Sequence, residues 1–269
     1  MSKLEKIVFD HGVCNLHSGE HTIDFLGIDR SDAVINIEVN SLTGILITSV
    51  KDIKTLTVNV DASAYLVLSF LFDIEILDSL KIVINVKGNS TVTAYFAEFA
   101  KDKLNLDCEV NLLEENAIAH VKVASLSSKN DEKNISVSIN HLVAKTYGKV
   151  DNYGVCKDMG KLLFSGTSHI YKDAIKSKTE QNAKIMVFDE ASDAIAKPIL
   201  KIDENDIEAS HAAAVGKIND EHLFYLTSRG LSIADAKELI TLGYLKPILA
   251  CFIKQETKDY ISSLIERRM

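Results

Sequence analysis

Histidine and cysteine are the residues through which this chain could bind a metal, because imidazole and thiolate are ligands that transition metals favour. Cys14, His17 and His21 have the spacing C-x2-H-x3-H, and His11 lies nearby. A structural zinc site needs four ligands, and no second Cys/His pair follows at a usual distance. We therefore interpret this run as an incidental polar loop.

The other three cysteines are interpreted mainly as packing residues. Cys108 alternates with apolar residues in residues 104–112, which is typical of a buried strand position. Cys156 stands between predicted strands and is interpreted as a partly buried small apolar residue. Cys251 lies in a predicted helix, where it either packs or faces a partner. The wide spacing of the four cysteines favours reduced thiols in a cytoplasmic protein.

Motifs for nucleotide binding and for nucleophilic catalysis are missing from the sequence. It contains no G-x-x-x-x-G-K-[ST] and no G-x-G-x-x-G after a predicted strand. No serine stands in an elbow motif. We therefore predict that the chain binds no nucleotide and is not an enzyme, and that any ATP-dependent role needs a separate subunit.

Composition and charge narrow the class of protein further. The chain has 269 residues, of which 46% are hydrophobic and 25% charged, with a formal net charge of −8. This charge argues against nucleic acid and anionic membranes as partners. The longest apolar run, around residues 64–72, is about half of the ~18 residues that a membrane span needs. The first residues lack the apolar core of a signal peptide, so we expect a cytoplasmic protein.

The dominant pattern between residues 30 and 140 is alternation of apolar and polar residues. In residues 104–112 every second residue is apolar, which predicts a strand with one buried face. Similar alternation occurs at residues 35–39, 56–60, 82–86 and 135–139. No amphipathic helix of convincing length interrupts these strands before about residue 205. The pattern excludes a βαβ plan but leaves a sandwich, a barrel and a β-solenoid open.

Three short helices are predicted after the strands. Asn219 or Asp220 can cap the first helix, which carries Leu223, Phe224 and Leu226 as its apolar residues. Gly230 suits the left-handed position at its end.

The second and third predicted helices follow from further capping and breaking residues. Ser232 and Asp235 resemble a capping box at the start of the second, and Gly243 ends it. Pro247 suits the first turn of the third.

Residues 207–230, IEASHAAAVGKINDEHLFYLTSRG, resemble the signature of the SufB/SufD family, whose members help to build iron–sulfur clusters. The signature has Ser-His before a run of small residues that ends in Val-Gly, and then a Leu-Phe-Tyr-Leu-x-Ser-Arg-Gly helix. Residues between His141 and Pro198 also follow the family's order, so the resemblance covers about residues 140–250. The matching residues of the signature are Ser210, His211, Ala213, Val215, Gly216, Leu223, Phe224, Tyr225, Leu226, Ser228, Arg229 and Gly230.

The resemblance implies a fold and a division of the chain. Members of the family have a right-handed β-helix body, that is a β-solenoid, which is followed by a small helical domain. We therefore predict a β-helix over residues 1–205 and a C-terminal helical domain over residues 206–269.

The resemblance also implies partners and sites. In SufD-like proteins the histidine that matches His211 lies at the interface with the SufB-like partner, so a role near the metal is expected for it. The tail helices of the family dock SufC, an ABC-type ATPase, which implies interface roles for Tyr225, Arg229, Leu242 and Tyr244. The iron–sulfur cluster would be bound transiently and shared with a partner chain, either a SufB-like homologue or a second copy.

Three departures from the family's pattern imply a supporting, SufD-like role. Gln181 is followed by Asn182, where SufB-type chains have a cysteine. Ala212 replaces the glutamate that follows the junction histidine in SufB-type chains, and Ala209 replaces a cysteine of some SufD chains. Thiolate is the group that binds iron and accepts sulfur, so a chain without it needs a partner.

Two alternatives remain at this stage. One is a self-sufficient, SufB-like homodimer that holds the cluster alone, which Cys156 leaves open. The other is a carbohydrate-active β-helix protein, such as a polysaccharide lyase. The chain has no tryptophan and no clusters of Arg and Asp on its predicted outer faces, which argues against the second alternative.

Overall fold

The computed structural model describes residues 7, 9–25, 31–73 and 79–269 of the chain. In that part the chain forms sixteen β-strands, which are followed by three α-helices. The elements are β1 (Val13–Leu16), β2 (Gly19–Asp24), β3 (Asp32–Ile37), β4 (Leu42–Ser49), β5 (Thr55–Val60), β6 (Tyr65–Phe72), β7 (Ser79–Val86), β8 (Thr91–Glu98), β9 (Lys103–Leu112), β10 (Ile118–Ser127), β11 (Glu132–His141), β12 (Tyr147–Cys156), β13 (Lys161–Ile170), β14 (Lys178–Val187), β15 (Asp193–Ile202), β16 (Glu208–Lys217), α1 (Asp220–Ser228), α2 (Ile233–Leu249) and α3 (Gln255–Glu266).

Successive strands alternate between two parallel sheets. The odd-numbered strands form one eight-stranded sheet in the order β1 to β15, and the even-numbered strands form the other in the order β16 to β2. We call them the odd sheet and the even sheet. Each pair of consecutive strands is therefore one rung of a stack, and each rung pairs with the rung before it and the rung after it. The predicted β-solenoid is confirmed.

The rungs lengthen along the chain. The step between paired residues grows from 21 residues, between Val13 and Val34, to 32 residues, between Thr167 and Ile199. The strands grow from four residues in β1 to ten in β9 and all later strands. A sequence with this growing step has no fixed repeat length, which is why no repeat is visible in it.

The core lies between the two sheets, where alternate side chains of the strands meet, except at the exposed edge strand β16. The rings of Phe70 and Phe96 stack there at 4.7 Å between centroids. Cys108 is fully buried in β9, as its alternation with apolar residues predicted. Burial of this apolar surface is the main force that holds the two sheets together.

A ladder of asparagine side chains fixes the register of the odd sheet on its outer face. Each Nδ2 group donates to the Oδ1 atom of the residue one rung earlier, at distances of 2.8–3.1 Å. Ladders of identical amides of this kind stabilise stacked parallel strands. The ladder consists of Asn15, Asn36, Asn59, Asn85, Asn111 and Asn140.

α2 and α3 pack on the outer face of the even sheet, and α1 packs against α2. Leu245, Ile248 and Ile265 are fully buried there, in one cluster with Phe99 and Leu126 of the solenoid. None of the helices in the described ranges is long and apolar enough to cross a membrane.

The number of helices is confirmed, but the predicted boundaries of the second and third were wrong. Gly243 and Pro247 both lie inside α2, which runs without interruption from Ile233 to Leu249. A helical glycine costs about 1 kcal/mol, and a proline removes one hydrogen bond. Burial of Leu245 and Ile248 on the sheet offsets these costs. The cap residues Asn219 and Ser232 are as predicted.

The proposed division of the chain at residues 205 and 206 falls between β15 and β16. The last strand, Glu208–Lys217, pairs with β14 and belongs to the even sheet, and α1 begins at Asp220. The two-domain division itself stays a prediction.

Candidate functional site

The last rung of the solenoid presents two strand edges. β15 ends the odd sheet and β16 ends the even sheet. All ten residues of β16 are exposed, whereas its neighbour β14 is largely buried. An exposed, regular strand edge offers a row of backbone N–H and C=O groups that can pair with another chain.

His211 lies in the fourth position of β16 and on its inward face. Its register partner is Gln181 of β14, which is 3% exposed and points into the core. Because paired residues of neighbouring strands share a face, the imidazole stands directly above the solenoid interior. It is exposed because β16 is the edge of its sheet. A neutral imidazole in this position can bind a transition metal or accept a proton.

Small residues surround His211 on the same strand. Residues 209, 212, 213 and 214 are alanines, and residue 216 is glycine. Ala209 and Ala213 share the inward face with His211, because they pair with the buried Thr179 and Ala183. A second backbone could therefore approach this edge closely without displacing bulky side chains.

The interior directly below His211 is polar. The Gln181 amide donates to Ser168 Oγ at 2.6 Å and to the Ile199 carbonyl at 3.2 Å. Thr179 Oγ1 donates to Ser168 Oγ at 2.8 Å. Gln181 Oε1 and Asn152 Oδ1 are buried and have no hydrogen-bond partner in the protein. This interior thus holds two carbonyl oxygens that could accept a donor.

His141, the last residue of β11, is another polar residue of the interior. It is fully buried, its Nδ1 lies 2.8 Å from Thr146 Oγ1, and burial lowers its pKa to about 4. The ring is therefore neutral at physiological pH, and it packs inside the solenoid away from the last rung.

The outer face near Asn182 carries charged and amide groups, not a thiol. Asn182 Nδ2 donates to Asp151 Oδ1 at 3.0 Å, and Lys149 lies 3.7 Å from both Asp151 and Glu180. Lys178 lies 3.3 Å from Glu208 of the edge strand. This face is a network of ion pairs that runs up to the edge.

The four cysteines offer no exposed thiol at the last rung. Cys14, Cys108 and Cys156 are buried, and Cys251 is half-buried under the helices. Burial raises the pKa of Cys14 to about 12 and that of Cys156 to about 11. Cys156 Sγ donates to the Gly160 carbonyl at 3.1 Å. Such thiols are protonated and poor ligands for iron.

The residues of the C-x2-H-x3-H run do not converge. Cys14 points into the core, whereas His17 is exposed and its carbonyl lies 3.2 Å from His21 Nε2. His11 lies 2.6 Å from Asp10. Across the described residues, no group of three or more His, Cys, Asp and Glu side chains is placed to hold a metal ion.

The helices present an apolar surface to solvent. Phe224 and Tyr225 of α1 are 74% and 56% exposed, and Ile233 and Leu239 of α2 are 62% and 52% exposed. The guanidinium of Arg229 lies 5.1 Å from the centroid of the Tyr225 ring. We call these five residues the helical patch. Exposed apolar residues with Arg and Tyr are typical of protein interfaces.

The predicted interface residues thus fall into two groups. Tyr225 and Arg229 are exposed, whereas Leu242 and Tyr244 are half-buried and pack toward the solenoid, with the Tyr244 ring 6.5 Å from the Tyr153 ring. Phe224, an apolar residue of the predicted first helix, is the most exposed residue of the helical patch. No residue of α1 is buried, and the apolar residues in its sequence did not predict this exposure.

The sequence of this chain matches the model of a known protein family. Residues 57–244, more than half of the chain, match the family model described as "SUF system FeS cluster assembly, SufBD core domain". The chain is 31% identical over 159 residues to the iron–sulfur cluster assembly protein SufD of Bacillus subtilis, which covers 59% of this chain and 36% of that protein.

Two further relatives match a similar share of this chain. Identity to SufD of Escherichia coli is 24% over 155 residues, which covers 58% of this chain and 37% of the relative. Identity to SufB of Bacillus subtilis is 27% over 136 residues, which covers 51% and 28%. The matched part thus spans about a third of the length of these relatives. The chain belongs to the SufB/SufD core family of the SUF system for iron–sulfur cluster assembly.

Proposed function

We propose that this chain is a non-catalytic scaffold subunit of a cytoplasmic, ATP-dependent iron–sulfur cluster assembly complex. The observation that supports the proposal best is the uncovered edge strand β16, which carries His211 on its inward face. In this proposal β15 and β16 pair with the end of another solenoid, either a SufB-like chain or a second copy. The cluster is cargo that is built at that junction and passed on.

His211 contributes an imidazole at the junction, and the partner contributes the thiolates. This division of roles follows from the buried state of Cys14, Cys108 and Cys156. Pairing would remove water from the edge, which strengthens each ligand–metal contact and keeps the ring in one orientation.

The helical patch is the proposed docking surface for a SufC-type ATPase. Its ring and guanidinium groups supply the residue types that dominate interface energies. Closure of the ATPase would move α1 and α2, and α2 packs directly on the even sheet that ends at β16.

Changing the polarity and charge of the helical patch should abolish binding of the ATPase. We expect the variant Tyr225→Asp with Arg229→Glu to lose co-purification with a co-expressed SufC-type ATPase by about tenfold or more, because hot-spot residues cost about 2 kcal/mol or more each. Ile253→Asp is the matched control, since Ile253 is 74% exposed on the same tail but outside the patch. Undiminished recovery of the ATPase with the double variant would refute the docking assignment.

Iron content tests the role of His211. We expect His211→Ala to lower the iron retained by the complex about 10- to 100-fold at limiting iron, the range that loss of a single supporting residue gives at other metal sites, while both partner chains still co-purify. His222→Ala is the control, because His222 is an exposed histidine on α1. Full iron content in the His211 variant would remove this residue from the site.

A further inference from the structure

Two amide side chains, those of Asn152 and Gln181, lie inside the solenoid among apolar residues. Asn152 takes an inward position of β12, since it pairs with the buried Val123 of β10 and with the buried Ala183 of β14. Gln181 lies two residues before Ala183 on the same face of β14. Asn152 and Gln181 are each 3% exposed. Buried polar atoms are expected to have hydrogen-bond partners, so each atom of these amides needs one.

The orientation of the Gln181 amide is fixed by its neighbours. Its Nε2 group donates to Ser168 Oγ at 2.6 Å and to the Ile199 carbonyl at 3.2 Å. A carbonyl oxygen can only accept a hydrogen bond, so the nitrogen of the amide, and not its oxygen, must face Ile199. Oε1 therefore faces Gly166, where an added Cβ atom would lie 2.9 Å from it.

The two amide oxygens share one cavity and lack a donor. Gln181 Oε1 and Asn152 Oδ1 are buried and accept no hydrogen bond from any described residue. Both side chains line the same small cavity, and the missing side chain of Gly166 helps to create it. A buried carbonyl without a donor is strongly disfavoured. A molecule that supplies two donors would satisfy both oxygens.

The size of the cavity matches one water molecule. About 10 Å³ of the cavity is open to the centre of a water molecule, which is roughly the space that one such molecule needs. A water molecule has two O–H groups, one for each amide oxygen. The apolar part of the wall leaves no competing polar group there and consists of Val150, Phe164, Ala183 and Pro198.

The same walls exclude other kinds of occupant. No described residue with a charged side chain lines the cavity, so a buried cation would have no counter-charge. Two amide oxygens also fall short of the roughly six to eight oxygen ligands that a calcium ion takes. An apolar molecule would leave both oxygens without a donor.

We infer that one water molecule is bound between Asn152 Oδ1 and Gln181 Oε1 in the folded protein, and that it ties the last three rungs together from inside. The water joins β12 to β14, and the Gln181 amide joins β14 to Ser168 of β13 and to Ile199 of β15. A bridging water of this kind is nearly as favourable as a direct hydrogen bond. The inference goes beyond the proposed function and does not depend on it.

Water relaxation tests the inference through a substitution of Gly166. Magnetic relaxation dispersion of the water signal counts the water molecules that stay inside a protein for longer than the protein takes to tumble. Gly166→Ala places a methyl group in the cavity, 2.9 Å from Gln181 Oε1, and should expel the water. We expect the dispersion of this variant to lose the amplitude of one water molecule relative to wild type.

Loss of the water should also loosen the end of the solenoid. In Gly166→Ala we expect amide exchange in β13, β14 and β15 to become about tenfold faster or more, because buried amide oxygens are left without donors. Exchange in β5, which lies far from the cavity, should not change. Unchanged exchange in β13 to β15 would refute the tie between the rungs.

A strand glycine elsewhere provides the matched control. Gly216→Ala makes the same substitution in β16, where an added Cβ atom meets no other atom within 4 Å, and it should retain the full dispersion amplitude. Asn152→Leu is a second test that holds even if Gly166→Ala fails to fold. It removes one of the two acceptors and fills the cavity, so it should lose the same amplitude as Gly166→Ala.

A crystal structure of the wild type would locate the water. We expect one ordered water within about 3.2 Å of both amide oxygens. The inference would be overturned by a direct hydrogen bond from Asn152 Nδ2 to Gln181 Oε1, or by equal dispersion amplitudes in wild type and both cavity variants. Loss of the same amplitude in Gly216→Ala would place the water elsewhere and overturn the inference as well.

Discussion

Replacing Lys133 by methionine should lower the free energy of unfolding by about 3–5 kcal/mol, the cost of leaving one member of a buried ion pair without its partner. Lys133 and Glu98 are both 0% exposed, and Lys133 Nζ lies 2.8 Å from Glu98 Oε1. The pair spans the core, because Lys133 belongs to the odd sheet and Glu98 to the even sheet. Urea unfolding followed by circular dichroism measures the change.

The carboxylate of Glu98 explains why the loss is large. Its Oε2 accepts from Ser125 Oγ at 2.6 Å and its Oε1 accepts from the Ala100 N–H at 3.1 Å. These neutral donors remain in the variant, but they do not neutralise a buried charge. The Glu98 side chain would therefore have to take up a proton or draw water into the core.

Two further variants make this prediction specific. Lys161→Met removes an exposed lysine of the neighbouring strand and should change the free energy of unfolding by less than about 0.5 kcal/mol. Glu98→Met combined with Lys133→Met should recover most of the loss, because two apolar side chains need no partner. A loss below about 1 kcal/mol in the single variant would mean that water reaches the pair.

Replacing Arg268 by methionine should release α3 from the solenoid without unfolding the solenoid. The Arg268 guanidinium is 5% exposed and contacts the carboxylate of Asp131, which is 6% exposed. It also donates to the Phe99 carbonyl at 2.8 Å, to Ser128 Oγ at 3.1 Å and to the Ala100 carbonyl. Loss of a buried pair of this kind costs about 3 kcal/mol or more.

Hydrogen exchange locates the effect of the Arg268 variant. A local cost of about 3 kcal/mol should speed amide exchange in α3 by about 100-fold, whereas exchange in β9 and β11 should not change. Arg267→Met is the matched control, because Arg267 is exposed and lies 5.7 Å from the Tyr260 ring. Uniformly faster exchange over the whole chain would contradict a local anchor and indicate general destabilisation.

The alternation of apolar and polar residues predicted the strands, and the inward set of residues 104–112 is buried as expected. It could not select the solenoid, since a sandwich and a barrel bury alternate residues in the same way. A repeat of fixed length would have indicated a solenoid, but the sequence has none. Because the step between partners grows from 21 to 32 residues, only pairs of neighbouring rungs are alike in spacing. The resemblance around His211 supplied the choice instead.

The helices show where local signals fail. Asn219 and Ser232 were found because a cap is decided by the residue and its next three neighbours. Gly243 and Pro247 misled the prediction, because packing on the sheet overrides local preference in α2. Leu242 and Tyr244 were predicted at an interface from the resemblance; both are half-buried against the sheet, which is formed by distant segments.

The candidate site could be predicted only in part, because local sequence identifies a residue but not the pairing of distant strands. His211 was predicted from its neighbours in the sequence, which carry the resemblance. Its inward direction depends on the pairing of β16 with β14, which sets it beside the buried Gln181. That pairing is a fact of long-range topology that one sequence does not contain.

The stacking of rungs has a thermodynamic consequence for the end that carries β16. Where each unit touches only the unit before and the unit after it, folding free energy adds up from nearest-neighbour contacts, and the outermost unit receives one such contribution in place of two. Opening should therefore start at the ends of the stack, the last rung among them, and proceed inward. A bound partner would take the place of the missing neighbour. Its binding free energy would therefore include the free energy of ordering the strand that it binds.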